Sequence, residues 1–322
     1  MKFIDMHCDT LMHLAKNGKE NLIKNSFCVD FERMQKGGCL AQFFAVFLPS
    51  EDMWKDIKSG TYSSDEKYID EKLSIFTNDT KIYENINSAF SYIDFLNNQN
   101  EDKMSAFITL EDARALNNNL DNLKFYYEKG IRLITLTWNH ENCIGYPNSK
   151  DKNIMQKGLK NFGKETVELM NQLGVIIDVS HLSDGGFWDV HNISKSPFTA
   201  SHSNARELVA HSRNLTDDMI KAIANSGGII GLNFAPHFLN FDKTDRKSRI
   251  LAMLKHCKYI ANIGGIDCLS LGSDLDGIAG ELEIDSIDKI PLLFEALQSE
   301  FLTTDIEKIA YKNAQRLIKD IL

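Results

Sequence analysis

Proline and cysteine are scarce, with five prolines and six cysteines among 322 residues. So little proline, beside 43% hydrophobic content, excludes a disordered or proline-rich chain. The cysteines at 8, 28, 39, 143, 257 and 268 form no CxxC pair and lack the density of a disulfide scaffold, so reduced thiols and a cytoplasmic setting are expected. No apolar run approaches the roughly 18 residues a membrane helix needs. The densest, Leu40–Leu48, is interrupted by Gln42 and stopped by Pro49. The start, Met1-Lys2-Phe3-Ile4-Asp5-Met6-His7, turns polar too soon for a signal-peptide core. Lys and Arg never gather into a run, and the formal charge is −9, so neither nucleic acid nor an anionic membrane is an expected partner. A small ligand is.

No repeat, low-complexity tract or Gly/Ser linker divides the sequence, which predicts one domain over residues 1–322 with C-terminal helices from about 285. Short β-rich runs alternate with helical patterns, the signature of parallel βαβ units. Expected strands are Phe3–Met6, Leu40–Phe47, Met104–Leu110, Ile131–Leu136, Val175–Asp178, Phe198–Ala200, Gly228–Leu232 and Cys268–Leu271. Expected helices are Phe31–Lys36, a stretch within Ser64–Asn97, Leu120–Lys129, Leu159–Leu173, Asp184–Ile193, Thr216–Asn225, Ser248–Asn262, Ile287–Glu300 and Asp305–Ile318. Eight such units predict an α/β fold, a (β/α)₈ TIM-type barrel.

A barrel of this type builds its active site from the residues that follow each strand. Here those are His7-Cys8-Asp9, Glu111, Ser180-His181, Ser201-His202 and Gly272-Ser273-Asp274. His7 and Asp9 stand two apart on an extended segment, so they point the same way and can bind one ion together while Cys8 faces elsewhere. His181 and His202 could hold a second ion, with the two oxygens of Glu111 bridging. Imidazole and carboxylate without thiolate suit two catalytic zinc ions, and manganese or cobalt would fit the same set. Such a pair lowers the pKa of a bound water toward about 7. Asp274 is then placed to take a proton from that water and return it to a leaving nitrogen. Arg213, in His211-Ser212-Arg213-Asn214, has the planar fork that grips a carboxylate.

These residues resemble the membrane dipeptidase (renal dipeptidase) family of zinc peptidases. The resemblance lies in His7-x-Asp9, Leu136-Thr137-Trp138-Asn139, Asp178-Val179-Ser180-His181-Leu182-Ser183-Asp184, Ser201-His202-Ser203, His211-x-Arg213-Asn214 and Gly272-x-Asp274-x-Asp276-Gly277. The motifs come in the family's order and run from residue 4 to about 280. The resemblance implies a binuclear barrel of the metal-dependent amidohydrolase kind, often a homodimer. It would hydrolyse small dipeptides, accepting a D-residue on the C-terminal side, by attack of a metal-bridging hydroxide. It implies His7 and Asp9 as ligands of one zinc, His181 and His202 of the other, Glu111 as the bridge, Asp274 as acid/base and Arg213 as the carboxylate anchor. The chain looks like a soluble bacterial member. It departs from the mammalian pattern at Trp138, where those enzymes place a histidine that stabilises the tetrahedral intermediate; His140 as a catalytic donor and Asn139 as a substrate contact are expected to fill that role. The segment Gly231-Leu232-Asn233-Phe234-Ala235 also lacks a tyrosine found in some relatives.

Alternatives stay open beside these. Asp276 competes with Asp274, and either could cap a turn through Gly277. Glu111-Asp112 could begin a helix as negative first-turn residues. His13, His191, His237 and His256 follow no strand end and read as structural or solvated, and Glu281–Asp285 reads as a solvated face. The same metal centre could open a lactone, cyclic amide or β-lactam, or belong to a silent zinc-binding protein.

Overall fold

The computed structural model describes residues 1–16, 18–49, 64–87 and 103–322. Its strands are β1 (Phe3–Cys8), β2 (Cys39–Phe47), β3 (Ser105–Glu111), β4 (Ile131–Thr135), β5 (Ile176–Asp178), β6 (Ile230–Leu232), β7 (Lys247–Ser248), β8 (Leu269–Leu271) and β9 (Glu281–Leu282). Seven of them form one parallel sheet in the order β5-β4-β3-β2-β1-β8-β6. Every residue of β1, β2 and β3 is buried, because helices cover one side and the barrel interior the other.

The expected strand at 198–200 does not form a ladder. Thr199 bridges to Asp178 and Ala200 to Ile230, both parallel, with Val179 N donating to Thr199 O and Gly231 N to Ala200 O at 2.8 Å each. This short segment therefore joins β5 to β6 and closes the ring. Its brevity follows from Pro197, which has no N–H for a ladder.

Helix limits follow capping chemistry. Ser183 accepts from Gly186 N at 3.1 Å to start Asp184–Ile193, and Thr216 accepts from Met219 N to start Asp217–Asn225 with Asp217 and Asp218 in its first turn. The stretch expected within Ser64–Asn97 is helical over Asp65–Ile86; the part of that stretch beyond residue 87 lies outside the described residues. Pro291 splits the expected Ile287–Glu300 into a 3₁₀ turn, Ile287–Lys289, and a helix, Pro291–Leu297. The expected Asp305–Ile318 runs as Thr303–Glu307, a π-turn over Lys308–Lys312, and Asn313–Ile321. The acidic side chains of Glu281–Asp285 are exposed as expected, while Ile284 is buried and the backbone of Glu281–Leu282 pairs with Lys247–Ser248.

The last helix plugs the barrel end opposite the site. Ala314, Leu317 and Ile318 pack in one cluster with Ile4, Met6, Leu133, Ile176 and Ile229. Burying each of the larger aliphatic side chains contributes about 1.5–3 kcal/mol. Among the described residues no helix is long and apolar enough to cross a membrane.

Candidate metal centre

The strand ends bring His7, Asp9, Glu111, His181, His202 and Asp274 together, all of them buried. His7 Nε2 stands 3.5 Å from Asp9 Oδ2, 3.7 Å from Glu111 Oε2 and 3.9 Å from Asp274 Oδ1. The other Glu111 oxygen, Oε1, faces the remaining histidines, 3.3 Å from His181 Nε2 and 3.7 Å from His202 Nε2. Those two Nε2 atoms are 3.0 Å apart, and the His7 ring stacks on His202 with centroids 3.9 Å apart. Two groups have the compactness an ion requires: His7, Glu111 and His202, and His7, Asp9 and Asp274.

Two buried carboxylate–serine pairs hold this rim. Asp178, at the end of β5, accepts from Ser201 Oγ at 2.6 Å, and Ser201 Oγ lies 2.7 Å from His202 Nδ1. Thr135 Oγ1 and the Ser180 and Ser201 amides also donate to Asp178, so its charge is fully hydrogen-bonded. On the far side Asp5 accepts from Ser273 N and Ser273 Oγ at 2.7 Å each, which fixes the turn that carries Asp274. His181 and Asp274 both adopt positive φ, 68° and 61°, conformations that non-glycine residues hold only where the surroundings enforce them. At Gly277 a Cβ would overlap Asp9 Oδ2 and Asp274 Oδ1, so only glycine leaves both carboxylates in place.

The electrostatics match a place for cations. Burial raises Glu111 well above the usual carboxylate range, and Asp9 and Asp274 add to the shift. Burial, then the Asp9 charge, pushes Asp274 up to about 7 against His7, Asn233 and Arg213. Burial opposes protonation of His7, but Glu111 and Asp9 outweigh it and carry the ring to about 10. His181 and His202 go the other way, held neutral by burial and by nearby positive charge. His7 Nε2 and Asp9 Oδ1 are buried without a hydrogen-bond partner. Neutral imidazole lone pairs, orphaned ligand atoms and carboxylates short of positive charge are the donor set a divalent ion satisfies.

A cavity of about 190 Å³ opens over these groups, walled in part by Phe47, Trp138 and Phe238. Trp138 faces it and packs edge-on against Phe47 at 4.8 Å. His140 corrects the expectation: it is exposed, stands behind Trp138 with ring centroids 5.8 Å apart, and does not line the cavity. Asn139 does line it, but its Oδ1 lies 3.1 Å from His181 Nδ1, a contact to a site histidine. Arg213 is buried, stacks over Phe238 at 5.3 Å and donates to Ser203 Oγ and His202 O at 3.3 Å each. Its Nε has no partner, and burial pulls its pKa down to about 10. Asp276 turns away from the cavity, accepting from Thr10 Oγ1 at 2.5 Å and Cys28 N at 2.8 Å. Asp112 does not begin an α-helix; it caps the 3₁₀ turn Ala113–Leu116.

Sequence reasoning missed two positions. His237, read as structural or solvated, lines the cavity, because the short helix Pro236–Leu239 after β6 was not foreseen. Asn233, just past β6, donates to Asp274 Oδ2 at 2.8 Å. The signal for both was their place after a strand end, the same rule that found the histidines.

A closed ring of parallel strands with imidazoles and carboxylates at its C-terminal rim defines a barrel hydrolase of the amidohydrolase kind. The sequence matches the membrane dipeptidase family, peptidase family M19, over residues 1–321, and the chain belongs to that family. A Klebsiella pneumoniae protein from the pqqA 5′ region is 34% identical, covering 69% of this chain and 84% of that one. Dipeptidase tcpJ of Claviceps purpurea is 26% identical over 91% of this chain and 69% of its own length. The fold is that of a Rhodobacter sphaeroides metallopeptidase solved with a phosphinate mimic of L-Ala-D-Ala, with a TM-score of 0.86, 24% identity, and 100% and 99% of the two chains covered.

Proposed function

We propose that the protein is a zinc-dependent dipeptidase with two zinc ions per chain, one held by His7 and Asp9, the other by His181 and His202, and both by Glu111. The carrying observation is that Glu111 Oε2 faces His7 at 3.7 Å while Oε1 faces His181 at 3.3 Å. One carboxylate thus addresses two sets of donors. Manganese or cobalt would suit the same donors. Ions bound there supply Lewis acidity toward a scissile carbonyl and acidify water to a pKa of about 7.

The chain's own groups do the rest. Asn233 Nδ2 occupies Asp274 Oδ2 at 2.8 Å, which leaves Oδ1 to accept the proton of the attacking water and return it to the leaving nitrogen. Arg213 takes the C-terminal carboxylate of the substrate: it is a buried cation with an unpartnered Nε and no ion pair among the described residues. A cavity of about 190 Å³ is small and suits a substrate of two residues. The mimic of L-Ala-D-Ala bound to the Rhodobacter protein supports a D-residue at the C-terminal position.

A panel of L,L and L,D dipeptides, each offered with a free and an amidated C-terminus, tests the reading. Hydrolysis confined to free dipeptides is expected. Equal turnover of the amides would remove Arg213 from substrate binding, and no turnover of any dipeptide would remove the activity.

A further inference from the structure

Three exposed cations whose charge reaches His211 or the cavity-lining His237 form no ion pair among the described residues. In a chain of net charge −9, many exposed cations are paired, as Lys258 is with Glu300 at 2.6 Å and Lys289 with Asp285 at 2.6 Å. Lys150, Lys243 and Arg246 are exposed and form no ion pair among the described residues.

Their segments are fastened to the site. Asn148 N donates to His181 O at 2.7 Å, and Ser212 Oγ donates to Asn148 Oδ1 at 2.7 Å, which sets Lys150 beside the segment that carries Arg213. Lys243 and Arg246 lie on the loop that follows Pro236–Leu239, the helix whose His237 and Phe238 line the cavity. Asn240 Nδ2 ties that loop down through Asp245 O at 3.1 Å and Lys247 O at 2.8 Å. Of the neighbouring acids, Asp245 pairs with Arg249 and Glu281 with Lys247 at 3.1 Å, while Asp242 and Asp151 accept from Thr244 and Asn153 N and form no ion pair with these cations.

Two imidazoles on this side register the field. Burial, then His237, Arg213, Lys150 and Lys243, pushes His211 down to about 4. Burial, then Arg213 and Arg246, lowers His237. Both rings are neutral near pH 7, and the charged side chains that act on them are cationic.

We propose that this side of the mouth selects dipeptides whose C-terminal residue carries a second carboxylate, a glutamyl or aspartyl side chain. The inference rests on Arg213 holding the α-carboxylate, as proposed above. The side chain of that residue is then directed past His237, a neutral ring able to donate one hydrogen bond, toward Lys150, Lys243 and Arg246. Opposite charge at the mouth favours both capture and retention of such a substrate.

The test compares kcat/KM of the metal-loaded enzyme for L-Ala-D-Glu and L-Ala-D-Gln, which match in shape and differ in charge. The glutamyl substrate should lead by about five- to tenfold at low ionic strength, from a few surface-charge contacts acting together. The lead should shrink below about twofold near 0.5 M salt, where screening acts over only a few ångströms. Joint Lys150→Glu, Lys243→Glu and Arg246→Glu replacement should bring the ratio to one or below. A ratio near one in the unmodified enzyme, or a lead that neither salt nor charge reversal reduces, overturns the proposal. L-Ala-D-Ala separates the two readings: cleavage of it with no glutamyl preference sinks the selectivity alone, whereas no cleavage of any dipeptide sinks the dipeptidase reading and the selectivity with it.

Discussion

His181 Nδ1 stands 3.1 Å from Asn139 Oδ1, and on the other side of the ring His181 Nε2 stands 3.3 Å from Glu111 Oε1. With the amide oxygen as acceptor, Nδ1 carries the proton and Nε2 keeps its lone pair turned toward the other donors. Replacing Asn139 with Leu should weaken metal binding about 10- to 100-fold, the usual effect of losing a partner behind a ligand histidine. Asn139→Asp should restore it, since a carboxylate accepts the same proton. Competition with a chelator reads the affinity directly. A change confined to KM, with metal affinity intact, would return Asn139 to substrate binding.

Stripping the metal should abolish dipeptide hydrolysis and added zinc should restore it. It should also lower thermal stability, because the buried Asp9, Glu111 and Asp274 then lose the divalent charge that offsets their mutual repulsion. Metal held at a hundred times its Kd adds about 2.7 kcal/mol, a Tm difference of about 3–6 °C for a chain of this size. Calorimetry with and without chelator measures it, and identical melting curves would mean that no ion sits among these groups.

Asp274→Asn removes the proton acceptor while the amide can still meet Asn233. Turnover should fall about 10²- to 10⁴-fold, with two metal ions per chain retained by elemental analysis. Asp276→Asn should leave turnover within a few-fold, because Asp276 is spent on Thr10 and Cys28 N. The reverse ranking would exchange the two assignments.

Arg213→Lys keeps the charge and loses the fork. KM for a free dipeptide should rise about tenfold or more, since a two-bond clamp becomes a point contact. The amidated dipeptide, with no carboxylate to grip, should show no such rise.

The parts of the site that were legible in the sequence are those governed by local rules. His7, Asp9, Glu111, His181, His202 and Asp274 each stand in the last residues of a strand or just past it, and period two together with the barrel's C-terminal rim is enough to gather them. His140 follows a strand end as well, yet the bulk of Trp138 takes the cavity face and leaves His140 to solvent, which spacing alone does not reveal. Asn233 and His237 also lie after a strand end, past β6, but what they do depends on tertiary neighbours, Asp274 for the one and Arg213 for the other, which position alone does not name. Among the strands, 198–200 was found by its composition, but its reduction to two bridges depends on Pro197 and on where β5 and β6 end.

His256 supplies a pH-dependent contribution to stability. It is buried with both nitrogens committed: Ala205 N donates to Nδ1 at 3.2 Å, and Nε2 lies 3.3 Å from Leu239 O, to which it donates. A proton added at Nδ1 would face an N–H instead of an acceptor, and burial already pulls the ring down to about 4. Unfolded histidine titrates near 6.5, so as pH falls the unfolded chain takes up the proton first. The contribution is therefore complete above about 6.5, is lost between 6.5 and 4, and is level below that, for a total of about 3 kcal/mol. His256→Gln keeps a donor and an acceptor without titrating. Urea unfolding of the metal-free protein at pH 7 and 4.5 should show a stability loss about 2–3 kcal/mol smaller in the variant than in the parent, other titrations cancelling in the difference. Using metal-free protein for both keeps ion release at low pH out of the comparison. Parallel losses in the two proteins would mean that His256 is not held neutral between Ala205 and Leu239.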